Sequence, residues 1–432
     1  MEDVVLKSSN LPAGLRLALA GAVWALIGGG AHAQSNLPPL SLQAQVGQKL
    51  FFDPNLSASK KMSCASCHDP GSHYAPANAQ PVQFGGPNLT TPGFRAVPTL
   101  TYKDLTPAYA DNAVNPDGVS VNSPGGGFTW DGRANSLAEQ VAIPLLSSFE
   151  MANTSQAAVV QAVQQSSEAQ LFLQAFGANA FEDTATAFTE IGLALQQYQL
   201  EDVSFHPYSS KYDYTFLVEL SNGKPVTFTA AELRGYNVYL QPDKGNCFAC
   251  HYNGPITGSG GALFTDFTFE ALGVPRNTSI PAAATHPGLP VMYYDLGLCT
   301  ALNPTAPHIL PSSAQYCGLF KTPTLRNAVT RQAFFHNGVF HTIDDVIDFY
   351  NTRDTNPSAW YPTVKGVVQK FNDMPVAYQA NLDKTDVPFD GLPVGGTPHM
   401  TPQDVADLKC FLETLVDGYV EGVTPQDPKC VN

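Results

Sequence analysis

Two five-residue segments constrain this chain more than anything else in it: Cys64-Ala65-Ser66-Cys67-His68 and Cys247-Phe248-Ala249-Cys250-His251. Two thiols three positions apart can reach the two vinyl groups of one porphyrin and form thioethers. The histidine that follows then offers an imidazole nitrogen to the iron. C-x-x-C-H is the attachment signature of c-type haem. A single copy would also suit a redox-active C-x-x-C pair. Two copies, each behind a similar helix-like lead-in and both in a secreted chain, point to two covalently bound haem c groups, with Cys64, Cys67, Cys247 and Cys250 as attachment points and His68 and His251 as iron ligands.

The N-terminus supports that compartment. Lys7 and Arg16 precede an apolar run from Leu17 to Ile27, and Ala31-His32-Ala33 makes a small-x-small cleavage site before Gln34. Residues 1–33 therefore read as a signal peptide, the run being short and glycine-rich for a membrane anchor. The mature chain is expected in the periplasm without a membrane span. With 37 acidic against 22 basic residues and a formal charge of −15, nucleic acid is excluded as a partner, while a basic redox protein would be attracted. Four cysteines remain outside the haem motifs. In an oxidising compartment they can form disulfides, and the local pairs Cys299–Cys317 and Cys410–Cys430 are preferred among three pairings.

In chain order, Leu42 to Phe52 is apolar at helical intervals and ends at Asp53-Pro54. Gly47, Leu50, Phe51 and Pro54 recur at the same offsets as Gly235, Val238, Tyr239 and Pro242. This weak repeat implies two cytochrome c-like units, each running helix, loop, haem motif and further helices. Ser136–Leu146, about 154–176 and 184–200 read as helices. The second unit opens on the capping box Thr229-Ala230-Ala231-Glu232. Residues 216–220 and 226–228 flank Ser221-Asn222-Gly223, a hairpin-like linker, so the domains are expected at 34–225 and 226–432. Thr401-Pro402 opens a last helix, through about Tyr419, that should close on the helix before the second haem motif. The expected fold is mostly α and loop-rich, with a small β-hairpin element.

On these residues the chain resembles the bacterial dihaem cytochrome c peroxidases and the related MauG proteins. The resemblance rests on Gly47 through Asp53, Ser63 through Pro70, Trp130-Asp131-Gly132-Arg133, Pro144 and Glu150-Met151. In the second half it rests on Lys321 through Asn327, Phe335-His336-Asn337-Gly338 and Phe349-Tyr350-Asn351. It implies a peroxidatic haem at His68 and an electron-transfer haem at His251. The implied activity is reduction of hydrogen peroxide with electrons from a small c-type cytochrome or copper protein. MauG-like oxidation of a partner protein's side chains and simple electron carriage are the rival readings. Glu150 resembles the family's distal acid–base. Trp130, twenty positions earlier, resembles its tryptophan between the haems. Arg133 is a propionate partner or a structural ion pair. A homodimer is compatible with the resemblance.

Two departures and one replacement stand out. Asn88 occupies the place of the histidine that ligates the resting peroxidatic iron in typical members, with His73 the nearby substitute to test. The family's interdomain calcium would lose its asparagine ligand to Ala96, keeping carbonyls from Arg331 and Ala333. Tyr350 stands where typical members carry the methionine ligand of the second haem. On the helix opened by Thr342, Val346, Phe349 and Tyr350 share one face, so Tyr350 should point inward. Met374 and Met292 are the alternatives. A phenolate is a hard anionic donor that favours ferric and higher states.

Overall fold

Each long helix begins where a short polar side chain can satisfy its first N–H groups. A computed structural model describes residues 38–118, 120–217, 226–280, 294–299 and 314–431. Helix α1 (Leu42–Phe52) is capped by Ser41, α2 (Leu137–Leu146) by Ser136 and α3 (Gln156–Gln164) by Ser155. After α4 (Ala169–Phe176), α5 (Thr184–Glu201) is capped by Asp183. Helix α6 (Lys211–Phe216) is capped by Ser210, α7 (Ala230–Leu240) by Thr229, α8 (Ile343–Thr352) by Thr342 and α9 (Pro402–Glu413) by Thr401. Strands are short and pair antiparallel in twos. These are β1 (Phe84–Gly85) with β2 (Thr91–Pro92), β3 (Ala110–Ala113) with β4 (Ser123–Gly125), β5 (Phe269–Glu270) with β6 (Phe320–Lys321), and β7 (Thr363–Val364) with β8 (Val367–Val368). The fold is thus mostly helical, as expected. Both disulfides form as expected, Cys299–Cys317 and Cys410–Cys430.

Residues 41–432 make one compact unit, and of residues 1–40 only 38–40 are described, as irregular chain. Within the unit the helices pack in two groups. Helix α1 lies against α5, with α2, α3 and α4 around them; α7 lies against α9, joined by α8. The weak repeat marks the tightest point of each group. A side chain on Gly47 would run into the Ala194 carbonyl and come 2.9 Å from Tyr198 Cβ. One on Gly235 would run into the Asp407 carbonyl and come 2.9 Å from Phe411 Cβ. Glycine lets the two helix backbones touch, and the aromatic cores close around that contact. The expected closure of the last helix on the pre-motif helix is this α7–α9 contact.

Three elements differ from expectation. The helix read over 154–176 breaks between α3 and α4. There Ser166 Oγ donates to the Val163 carbonyl (2.8 Å) and accepts from the Glu168 N–H (3.1 Å), competing with the helix ladder. The last helix stops at Glu413 rather than near Tyr419. The Asp417 N–H and carboxylate are drawn away by Asn327, at 2.8 and 2.7 Å, and Gly418 takes a positive φ. The strand expected at Phe216 is helix: the Ser210–Asp213 capping box starts α6, and Phe216 ends it against Tyr212 and Phe228. Residues 226–229 are irregular, and 218–225, with the expected turn and domain boundary, lie outside the described residues, as do the leader 1–33 and Met292.

Candidate functional site

Both C-x-x-C-H segments fold into a single 3₁₀ turn, over Cys64–Ser66 and Cys247–Ala249. The His68 N–H returns to the Cys64 carbonyl (2.9 Å) and the His251 N–H to the Cys247 carbonyl (2.8 Å), which sets both thiols and the imidazole at one place. Each turn forms part of the wall of a large, mostly apolar cavity, with about 1780 Å³ of empty space at the first and about 1610 Å³ at the second, open mouths included.

The two imidazoles are held alike. His68 Nδ1 sits 3.1 Å from the Tyr74 carbonyl, with the Pro98 carbonyl also facing it. His251 Nδ1 sits 3.1 Å from the Pro323 carbonyl and 3.3 Å from that of Phe264. A carbonyl only accepts, so Nδ1 carries the proton and Nε2 keeps its lone pair, the tautomer a metal ligand needs. Burial pulls both histidines down to about 4, keeping them neutral. The carbonyls come from a second repeat that was not read in the sequence, Pro98-Thr99-Leu100 and Pro323-Thr324-Leu325. In each copy the threonine hydroxyl donates at 2.6 Å to a backbone carbonyl of the loop behind the histidine, and the leucine N–H donates to the Tyr74 or Phe264 carbonyl. Tyr74 and Phe264 share a left-handed backbone, φ 54° and 55°.

These residues fit haem. Burial pushes the thiols of Cys64 and Cys247 up to about 12 and of Cys67 up to about 11, the reverse of an activated redox thiolate. Lys103 and Lys321 line both cavities and Arg331 lines the second. Among the described residues no carboxylate comes within salt-bridge distance of these three half-buried cations, and desolvation pulls Lys103 down to about 8, Arg331 to about 10 and Lys321 well below its ordinary value. Buried cations need anionic partners. The propionates of a haem in either cavity are suitable ones. The sequence reading gave none of these cations this role: Lys321 entered only within the resemblance and Arg331 only as a carbonyl, because a lysine is usually a surface residue.

A calcium ion does not fit where the resemblance would set it. Ala96 has no side-chain oxygen, and its carbonyl accepts from Trp130 Nε1 at 2.7 Å. The Ala333 carbonyl accepts from the Arg331 guanidinium at 3.3 Å, and that cation, with Lys103 near it, opposes a second charge of the same sign.

Most of the expected site residues meet at the cavities. Glu150 lines the first, beside Cys67, with Pro144 and Met151; burial raises its carboxyl above the usual range, against the pull of Ser147 and Arg133. Arg133 lines the same cavity and also pairs with buried Asp131, its Nε 2.7 Å from a carboxylate oxygen, so it is an ion-pair residue at the cavity wall. Trp130 lines both cavities. His73 is not on the first cavity's wall: it caps the Pro70–Ser72 turn with φ 52°, and Asn88 is exposed. His68 is the one histidine on that wall among the described residues.

Tyr350 lines the second cavity, its hydroxyl raised by burial and by the motif cysteines. Met374 does not line it; it lies in the core against Gly318. Met400, which the sequence did not single out, does, as does an acidic set, Glu270, Asp383 and Asp386.

The sequence profile of the di-haem cytochrome c peroxidases matches residues 41–219. The methylamine utilization protein MauG of Paracoccus denitrificans is 32% identical over 341 residues, 78% of this chain and 81% of the relative. The cytochrome c551 peroxidase of Nitrosomonas europaea is 28% identical over 309 residues, 71% of each chain. The crystal structure of the diheme peroxidase BthA from Burkholderia thailandensis superposes with a TM-score of 0.75 at 34% identity, covering 91% of this chain and 88% of that one. With two haem-motif cavities and these likenesses, the chain belongs to the di-haem cytochrome c peroxidase family, peroxide-using oxidoreductases with two haem cofactors.

Proposed function

We propose that this protein is a periplasmic enzyme that reduces hydrogen peroxide at the first cavity, with electrons passed from a small c-type cytochrome or copper protein through the second. The two helix groups are read as its two cytochrome c-like domains. The observation that carries the reading is Glu150: a half-buried carboxyl on the same cavity wall as Cys67 and His68, where no second histidine stands among the described residues.

Haem, when bound, supplies an iron able to take peroxide and exchange electrons with it. The chain's own residues do the rest. Nδ1–H of His68 is held by backbone carbonyls, which orients Nε2 toward the cavity. Glu150 would hold and move the proton, accepting it from one oxygen of peroxide and delivering it to the other. Its raised value suits both acts. Lys103 and Lys321 would hold propionates from both sides, and Trp130 stands between the cavities as the electron path. Tyr350, on the wall of the second cavity with His251, would be the further residue to hold that iron. That tyrosine, with Met374 away from the cavity, favours a second reading in which oxidising equivalents are stored across both haems and used on a partner protein's side chain.

The test is Glu150→Gln in the haem-loaded protein. Both haems stay bound, and the second-order rate of peroxide reaction falls by about 10²-fold or more. An unchanged rate makes Glu150 a bystander. Turnover of peroxide with a reduced small cytochrome supports the first reading; oxidation of a protein side chain without such turnover supports the second.

A further inference from the structure

The residue behind each proximal histidine is the same in backbone and different in chemistry. Phe264 is fully buried and has no polar atom on its ring. Tyr74, its counterpart, is 3% exposed and keeps a hydroxyl. Its ring stacks on Phe205 (3.9 Å between centroids) and meets Phe51 edge-on (5.8 Å), and Phe51 lines the first cavity. The phenol is therefore one aromatic contact from the cavity at one edge.

Its hydroxyl leads the other way. The Tyr74 oxygen is 2.6 Å from Ser204 Oγ, and Ser204 Oγ donates at 2.6 Å to the Asp202 carboxylate. Ser204 has one hydroxyl hydrogen and gives it to a group that, when ionised, only accepts. Tyr74 must then donate to Ser204, and the proton order runs outward from Tyr74 through Ser204 to Asp202. Ser204 is exposed, so the relay ends in solvent. A buried phenol needs only one hydrogen-bond partner. An ordered chain from beside a proximal ligand to a surface carboxylate is what one-electron oxidation of tyrosine requires, because the phenol must lose its proton as it loses the electron.

We propose that Tyr74 is a redox relay: an oxidising equivalent left at the first haem by peroxide withdraws one electron from the Tyr74 phenol while the phenolic proton passes through Ser204 to Asp202 at the surface. The proposal rests on the reading that peroxide reacts at the first cavity. One electron moves from the phenol to the first site, one proton moves to Asp202, and a neutral tyrosyl radical remains. It returns to tyrosine by taking one electron from the donor protein and one proton back along the same chain. Oxidising power thereby reaches the outer face of the first lobe through a hydroxyl that Phe264, the counterpart of Tyr74, does not carry.

The test mixes the haem-loaded protein with stoichiometric hydrogen peroxide, follows haem absorbance and freezes samples for electron paramagnetic resonance. An organic radical with tyrosyl proton splittings is expected, narrowed by deuterated tyrosine and absent in Tyr74→Phe, a change the second lobe already accommodates as Phe264. Ser204→Ala leaves the haem response as in the parent protein and slows the radical's appearance by about 10²-fold, the low end of what a positioned proton-transfer group contributes. A haem response without an organic radical, or a radical that survives unaltered in Tyr74→Phe, overturns the relay and leaves the peroxide reading standing. No haem response to peroxide at all overturns both.

Discussion

Behind His68 the chain places Tyr74, and behind His251 it places Phe264, in the same left-handed backbone and under the same Pro-Thr-Leu strap. The two lobes share a scaffold for presenting a neutral imidazole and differ in what surrounds it. Beside the first cavity the buried Asp131 is matched by Arg95 and Arg133, and the half-buried Glu150 carboxyl on the wall is raised by desolvation. In the second, Glu270, Asp383 and Asp386 crowd together beside Tyr350. The duplication thus repeats the backbone geometry around each motif histidine and sets different carboxyls near it.

The largest effect should come from breaking what the lobes share. Gly47→Ala and Gly235→Ala each set a Cβ against a backbone carbonyl of the facing helix, which no side-chain rotation relieves. Each should cost about 3 kcal/mol, at the upper end for overpacking, and the two costs should agree within about 1 kcal/mol, in denaturant unfolding of the haem-loaded protein. Unequal costs would mean that the helix contacts are not equivalent.

Next in size is the change that makes the second cavity resemble a methionine-ligated one. Tyr350→Phe should abolish the ligand-dependent absorption of the second haem and raise its midpoint potential, while Met374→Ala changes neither. Met400→Leu belongs in the same series, since Met400 lines that cavity. If the spectrum survives Tyr350→Phe and is lost in Met400→Leu, the second haem is methionine-ligated and Tyr350 is a wall residue of its cavity.

The smallest effect concerns pH. Burial, with Asp383, Asp266 and Asp386 nearby, pushes the Glu270 carboxyl up to about 8. The folded state then holds a proton that the unfolded chain releases near the ordinary glutamate value. Stability from this group is therefore present at acid pH and is lost as pH rises toward 8. Unfolding free energy should fall by about 1–2 kcal/mol more between about pH 5 and pH 8 in the parent protein than in Glu270→Gln. Equal slopes would remove Glu270 from the account.

Features encoded over a few consecutive residues were legible without the fold. The two haem motifs are local because two thioethers and one ligand must come from one turn. The helix starts at Thr229, Thr342 and Thr401 were legible because a capping side chain bonds only two or three residues ahead. Helix ends were less so: α9 stops where Asn327, 90 residues upstream, takes Asp417. The Pro98 and Pro323 carbonyls went unread because a backbone oxygen has no residue-type signature. The match of Arg133 to Asp131 was readable as an option and decided only by contact.

The sequence by itself carried the two C-x-x-C-H segments, the histidine next to each cysteine pair and several of the short polar residues that start helices, since all of these act within one or two turns of chain. Only the tertiary structure decided that Lys103 and Lys321 stand between the cavities, that Arg331 takes up the Ala333 carbonyl, that Met374 lies away from the second haem site, and that Tyr74 is wired to Ser204 and Asp202. Those facts depend on burial and on pairings across tens to hundreds of residues. A charge or a phenol acquires its meaning there from what has been removed from water around it.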